Sequence, residues 1–216
     1  MTSGGPESPS PSTGASPSTG ASPLIELVEI MARLRAECGW KAKQTHRSLA
    51  KHLLEETYET LDAIETLDRG GKPEDLREEL GDVLLQVYLH AAIAAETGAF
   101  DIEDVAAGLR DKMLRRNPHV FGDVEETDPE RINETWESVK AAEKERSGLL
   151  DGIPNTLPAL TRAAKVLDRL ERAGMPLPTP DPHDLGDRLL ALVAEARAVG
   201  EDPEQALRDA LRRAGA

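Results

Sequence analysis

The chain has 216 residues, with 26 Lys and Arg against 40 Asp and Glu and a formal net charge of −14. So acidic a balance excludes the broad basic face that stable nucleic-acid binding needs, but it suits a divalent-cation site, because carboxylate oxygens are what Mg²⁺ prefers. A single cysteine, Cys38, excludes a disulfide framework and a cysteine-rich zinc site, and aromatics at 3% beside abundant Ala, Leu, Glu and Arg favour helices over sheets.

Residues Met1 to about Ser22 are Ser, Pro, Gly and Thr, with Ser-Thr-Gly-Ala-Ser-Pro repeated from Ser12 and Ser18. Such a segment has no apolar surface to bury and is expected to be a disordered tail. Ser22 and Pro23 suit a helix start, and Leu24, Leu27, Val28, Met31 and Leu34 follow at helical spacing until Gly39. A second helix is expected from about Thr45 to Asp68, burying Leu49, Leu53, Leu61 and Ile64, and Gly70-Gly71 ends it. Pro73, Glu74 and Asp75 open a third, which carries Leu76, Leu80, Val83, Leu84 and Val87 to about Glu96. Asp101 starts a fourth with Ile102, Val105, Leu109 and Met113, stopped at Asn117-Pro118. Asp128-Pro129 opens a fifth with Ile132, Trp136 and Val139.

Short loops between long amphipathic helices predict an all-α, antiparallel helical bundle with no strand. The expected organisation is a tail over 1–22, a catalytic helical domain over 23–146, a linker and connecting helix over 147–182, and a partial repeat over 183–216. No apolar run reaches the roughly 18–20 residues of a membrane span, and no basic segment followed by an apolar stretch marks a secretory signal. No membrane contact and a cytoplasmic location are therefore expected.

Two helices carry the chemistry. The second reads Glu55-Glu56-Thr57-Tyr58-Glu59 and the third Glu79-Leu80-Gly81-Asp82. Residues three or four apart share a helix face, so Glu56 neighbours Glu59, Glu79 neighbours Asp82, and His52 lies one turn before Glu56. If these helices pack antiparallel, four carboxylates converge. Unpaired, they repel, and a hard divalent cation relieves the repulsion. By spacing alone a solvated acidic face reads the same way in a chain with 31% charged residues.

The wider pattern separates the two readings. Leu54-Glu55-Glu56-Thr57-Tyr58-Glu59, the run Glu78-Glu79-Leu80-Gly81-Asp82-Val83-Leu84-Leu85-Gln86-Val87, Arg115-Arg116-Asn117-Pro118-His119-Val120-Phe121 and Leu150-Asp151-Gly152-Ile153-Pro154 resemble the MazG-type nucleoside triphosphate pyrophosphohydrolases. The resemblance spans about Leu24 to Met175. It implies the all-α NTP pyrophosphatase fold and hydrolysis of NTPs and dNTPs to the monophosphate and pyrophosphate. Mg²⁺ is the implied cofactor, with Mn²⁺ as a substitute. Metal ligands carried over are Glu56, Glu59, Glu79 and Asp82, with Glu55 as an auxiliary acid that helps position the attacking water. The family usually dimerises, so a homodimer is expected, and clearing the nucleotide pool is the implied role.

Candidate substrate contacts follow. Lys112, Arg115 and Arg116 lie within one turn or so of each other, as a triphosphate requires, although a solvated basic helix end reads the same way. Trp40 and Trp136 can stack on a base or pack in a core. The resemblance supports Trp136 as the base-side residue. Trp40 sits in Cys38-Gly39-Trp40-Lys41, where MazG proteins usually read Cys-Pro-Trp-Asp, so the local turn differs, although Gln44 and Thr45 match. His52 is either a partner of the carboxylates or a surface residue. Cys38 is read as inert and His119 as a structural anchor of its turn.

Downstream, Asp184-Leu185-Gly186-Asp187-Arg188-Leu189-Leu190 echoes the Glu79 segment, and Leu207-Arg208-Asp209 with Arg212-Arg213 echoes Leu109 to Arg116. No Glu-Glu-x-x-Glu helix precedes it, so it reads as a degenerate partial copy kept for packing or dimer contacts. Two other readings of the whole chain compete with a hydrolase: a non-catalytic interaction module derived from the same fold, and a di-iron carboxylate bundle. The second needs Glu-x-x-His pairs, and none occurs.

Overall fold

A computed structural model describes residues 22–143 and 148–215. All regular structure among them is helical, as expected. The helices are α1 (Pro23–Glu37), α2 (His46–Asp68), α3 (Pro73–Ala95), α4 (Ile102–Arg116), α5 (Pro118–Phe121), α6 (Pro129–Ala142), α7 (Ala159–Arg172), α8 (Leu185–Ala198) and α9 (Pro203–Gly215), with a 3₁₀ turn at Lys41–Lys43. The tail expected over 1–22 lies outside the described residues, Ser22 excepted. None of the described helices is long and apolar enough to cross a membrane.

The chain divides into two compact units, Met1–Thr127 and Asp128–Ala216. The division precedes α6, whereas the sequence reading carries the first domain to residue 146.

Local chemistry sets the helix ends. Thr45 and Ser48 form a reciprocal cap on α2, and Asp101 and Asp104 do the same on α4. Pro23 and Pro73 occupy the first turns of α1 and α3. Ser22, expected as a cap, makes no side-chain capping bond. Between α2 and α3, Gly70 adopts φ +90, and a Cβ on Gly71 would lie 2.6 Å from the Thr66 Cγ2. Both positions therefore require glycine for this tight reversal.

In the first unit α2 and α3 run antiparallel. His46 meets His90, and Thr60 approaches Glu79, so partners fall along one helix as they rise along the other. Helix α1 lies on α3 parallel to it, not antiparallel: the Tyr88 hydroxyl donates to the Leu24 carbonyl at 2.7 Å, and Arg35 meets Glu96 farther along both helices. The core is Met31, Leu49, Tyr88 and Leu89, flanked by Leu27, Leu34, Leu84, Leu85, Ala92, Ile93 and Ile102.

The buried stripes differ from the expected ones. On α2 only Leu49 of the four expected leucines and isoleucines is buried, while Leu53 and Ile64 are exposed and the polar Thr60 and Glu65 are buried instead. On α3 Leu80 is exposed, and Gln86, Tyr88, Leu89, Ala91 and Ala94 are the buried residues. Buried Thr60 against the Glu79 carbonyl makes the middle of the α2–α3 seam polar, and α1 packs on α3 at Tyr88.

In the second unit α7 packs on α8 and α9, with Leu167 and Val193 fully buried. Arg172 bonds Glu137 of α6 at 3.2 Å, and Arg197 of α8 bonds Glu171 of α7 at 3.0 Å.

Candidate active site

The antiparallel α2–α3 pair brings carboxylates together at its middle. One oxygen each of Glu56, Glu79 and Asp82 lies within 4.8 Å of the others, and all three residues are half-buried. Glu59 stands one turn along α2 from Glu56, and its charge acts on both Glu56 and Glu79. Partial burial, and then the charges of Asp82 and Glu59, push the Glu56 carboxyl above its ordinary value. Partial burial, with Glu59 and Asp82 next, does the same to Glu79. Like charges gathered this closely repel one another. This donor set is all oxygen, anionic and convergent, which fits a hard divalent cation.

Thr60 fixes the two helices at this point. Its buried hydroxyl donates to the Glu56 carbonyl at 2.8 Å and lies 3.4 Å from the Glu79 carbonyl. It thus ties together the backbone of two clustered acids. A mid-helix threonine returning a bond to the fourth residue back is common, so no spacing in the sequence singles Thr60 out. Its contact with the second helix does.

Glu55, outside the three-carboxylate group, pairs with His52, Nδ1 to Oε2 at 2.9 Å. The His52 ring meets the Trp40 ring edge-on at 6.2 Å between centroids. Trp40 is 53% exposed, and the Lys41 Nζ lies 4.9 Å from its ring centre. His52 precedes Glu56 by one turn on the same face of α2, so this aromatic and cationic platform flanks the acids. The platform rests on Arg35, another residue the sequence reading missed. Arg35 donates to Glu96 at 2.6 and 2.8 Å, to the Gln44 carbonyl at 3.0 Å and to the Lys41 carbonyl. Backbone N–H groups of Lys41 and then Trp40 hold the Cys38 thiol below its ordinary value.

The basic residues are less gathered. Lys112 and Arg115 are exposed on the last turns of α4, which packs on α3. Arg116 is buried and engaged within the fold. Trp136 is half-buried on α6, in the second compact unit. The structure therefore brings together Glu56, Glu59, Glu79 and Asp82, and separately Trp40, His52 and Glu55.

A model of the MazG nucleotide pyrophosphohydrolase domain matches residues 44–121, the span that holds these acids. The Thermotoga maritima nucleoside triphosphate pyrophosphohydrolase/pyrophosphatase MazG is 40% identical over 215 residues, covering 87% of this chain and 81% of that protein. The Escherichia coli nucleoside triphosphate pyrophosphohydrolase is 37% identical over 217 residues, 85% of this chain and 81% of its own length. An uncharacterized 26.1 kDa protein of Streptomyces cacaoi is 47% identical over 192 residues, 87% of this chain and 77% of its own length. Among solved structures, a mazG-related protein from Thermotoga maritima aligns with a TM-score of 0.46 and 27% identity, over 54% of this chain and 98% of that one.

Proposed function

The chain belongs to the MazG family of nucleoside triphosphate pyrophosphohydrolases and is a hydrolase of nucleoside triphosphates; from that premise we propose that it cleaves NTPs and dNTPs to the monophosphate and pyrophosphate with Mg²⁺ held by Glu56, Glu59, Glu79 and Asp82. Its proposed role is clearance of the cytoplasmic nucleotide pool. The observation that carries the metal assignment is the approach of Glu56, Glu79 and Asp82 oxygens to within 4.8 Å on two antiparallel helices. A bound divalent ion supplies charge neutralisation and Lewis acidity to phosphoryl transfer, and Mn²⁺ is an acceptable substitute.

The chain's own residues supply the rest. Glu55, paired with His52, is our candidate for the auxiliary acid that helps position the attacking water. Trp40 offers an exposed face for a base, with Lys41 beside it. Lys112 and Arg115 are the candidate partners of the β and γ oxygens, and Arg116 contributes only if it leaves its buried position. Trp136 is retained as a second base-side candidate. Exposed Leu53, Leu54 and Leu80 beside the acids favour a homodimer in which a second copy shields the site from water.

Turnover in H₂¹⁸O tests the reaction. Attack at the α-phosphorus puts the label in the monophosphate and leaves the pyrophosphate unlabelled. Label in pyrophosphate or free phosphate would overturn the assignment.

A further inference from the structure

One helix of the second unit carries an apolar line that its own unit leaves open. On α8, Leu185, Leu189 and Leu192 are 65%, 47% and 58% exposed, and Val199 at the end of the helix is 73% exposed. Ala196, half-buried, completes the series. The intervals are four, three, four and three residues, which is the 3.5-residue repeat of a two-helix seam. At about 100° per residue these five side chains stay within about 40° of one line. The neighbouring line, through Leu190, Val193 and Ala194, belongs to the unit's interior: Val193 is buried and the other two are half-buried.

The flank on the other side carries Arg188 and Glu195, seven residues apart and so on one line. Both are exposed and neither is paired among the described residues. Two equal helices set antiparallel bring same-flank positions face to face. Arg188 of each copy then meets Glu195 of the other, twice, about a two-fold axis between Leu189 and Leu192. Parallel pairing would instead set Arg188 beside the other copy's Gly186 and Val193 flank, with no charge to meet.

We propose that α8 is a self-association helix, pairing antiparallel with α8 of a second copy of this chain through Leu185, Leu189, Leu192 and Val199, with reciprocal Arg188–Glu195 ion pairs. The inference takes the homodimer of the preceding reading as its premise and assigns it a contact in the second unit. It calls for nothing from the carboxylate site.

The test uses the full chain in a Cys38→Ser background, which removes the only native thiol. A single cysteine is placed by Leu192→Cys, Leu185→Cys or Val199→Cys and treated with a short bismaleimide. Antiparallel pairing links the Leu192→Cys protein into a covalent dimer. It leaves Leu185→Cys unlinked, because at about 1.5 Å per residue that position lies roughly 16 Å along the axis from its mate. Val199→Cys is farther still. In sedimentation, Arg188→Glu weakens the dimer several-fold and Arg188→Glu with Glu195→Arg restores it, while helical circular dichroism stays unchanged. A protein that is monomeric throughout overturns this proposal and the homodimer together. A dimer that persists with Leu192→Cys unlinked and no charge-swap rescue overturns only the α8 contact, and shows that another part of the chain or a different partner covers the stripe. Equal linking at all three positions means parallel pairing and also overturns it.

Discussion

At the scale of single residues, the carboxylates are held together against their own repulsion, and this has a measurable signature. Removing one charge relieves the others. Glu79→Gln is therefore expected to raise the melting temperature of the metal-free protein slightly, and to cancel the further rise that Mg²⁺ gives the wild type. Calorimetry with and without Mg²⁺ reads both; a Glu79→Gln protein still stabilised by Mg²⁺ to the wild-type extent would remove this residue from the ligand set. Thr60 acts on the same site through the backbone. Thr60→Val keeps the shape and loses the hydroxyl that joins Glu56 to Glu79, so it should weaken apparent Mg²⁺ affinity by about 10-fold, with Thr60→Ser restoring most of it. Mg²⁺ titrations of turnover check this; an unchanged Mg²⁺ dependence in Thr60→Val would make the residue an ordinary core threonine. The acids were legible in the sequence because a helix repeats every three to four residues and two such pairs were present. Thr60 was not, since its second contact depends on where a different helix lands.

At the scale of elements, the ends of helices were more legible than their buried faces. Thr45, Pro73, Gly70 and Asp101 mark boundaries through local chemistry that needs no tertiary context. Burial does need it: Leu53 and Leu80 fit an amphipathic stripe as well as Leu49 does, yet they remain exposed while Gln86 and Glu65 are buried. The open end of the α2–α3 pair is closed by two histidines, stacked with centroids 5.1 Å apart and Nδ1 atoms at 2.8 Å. Burial, and then the neighbouring His46, hold His90 below its ordinary value, and its Nε2 is buried without a partner. The folded state thus binds this proton less readily than the unfolded chain. The stability it confers is present above about pH 6.5 and is lost as pH falls through the lower folded value. Denaturant midpoints between pH 7.5 and 5 should fall for the wild type and fall less for His90→Gln; parallel curves would contradict this. Arg35 joins α1, the 3₁₀ turn and α3 across 61 residues of sequence, a connection without a local signal. Arg35→Gln should destabilise by about 1–2 kcal/mol and raise KM more than it lowers kcat, because Trp40 and Lys41 lose their support. A pure stability loss with unchanged KM would separate the platform from substrate binding.

At the scale of the whole molecule, the chain carries its clustered carboxylates in one unit and an exposed apolar helix face in the other. The first unit holds the acids on two long helices whose antiparallel pairing is set by a two-glycine reversal and confirmed by contacts along its length. The second unit was legible only as an echo of the first. Its α8 repeats the Gly-Asp and leucine pattern of α3 but lacks a partner helix with Glu-Glu-x-x-Glu, so the sequence itself explains why no such carboxylate group is found among its described residues. What the echo did not reveal is that Leu185 and Leu189 face outward while Leu190 turns to the unit's interior. A hydrophobic pattern fixes which residues share a face and leaves open what covers it.

Glu56, Glu79 and Asp82 are proposed to act together as the metal-binding centre of this nucleotide pyrophosphohydrolase. The most direct test is release of monophosphate and pyrophosphate from a panel of NTPs and dNTPs, across an Mg²⁺ titration, by the wild type, Glu56→Gln and Asp82→Asn. Wild-type turnover should be abolished by EDTA and restored by Mg²⁺. Each variant should lose at least about 10²-fold in kcat while keeping its helical signal. Substantial Mg²⁺-dependent turnover by folded Glu56→Gln or Asp82→Asn would remove these carboxylates from the metal centre.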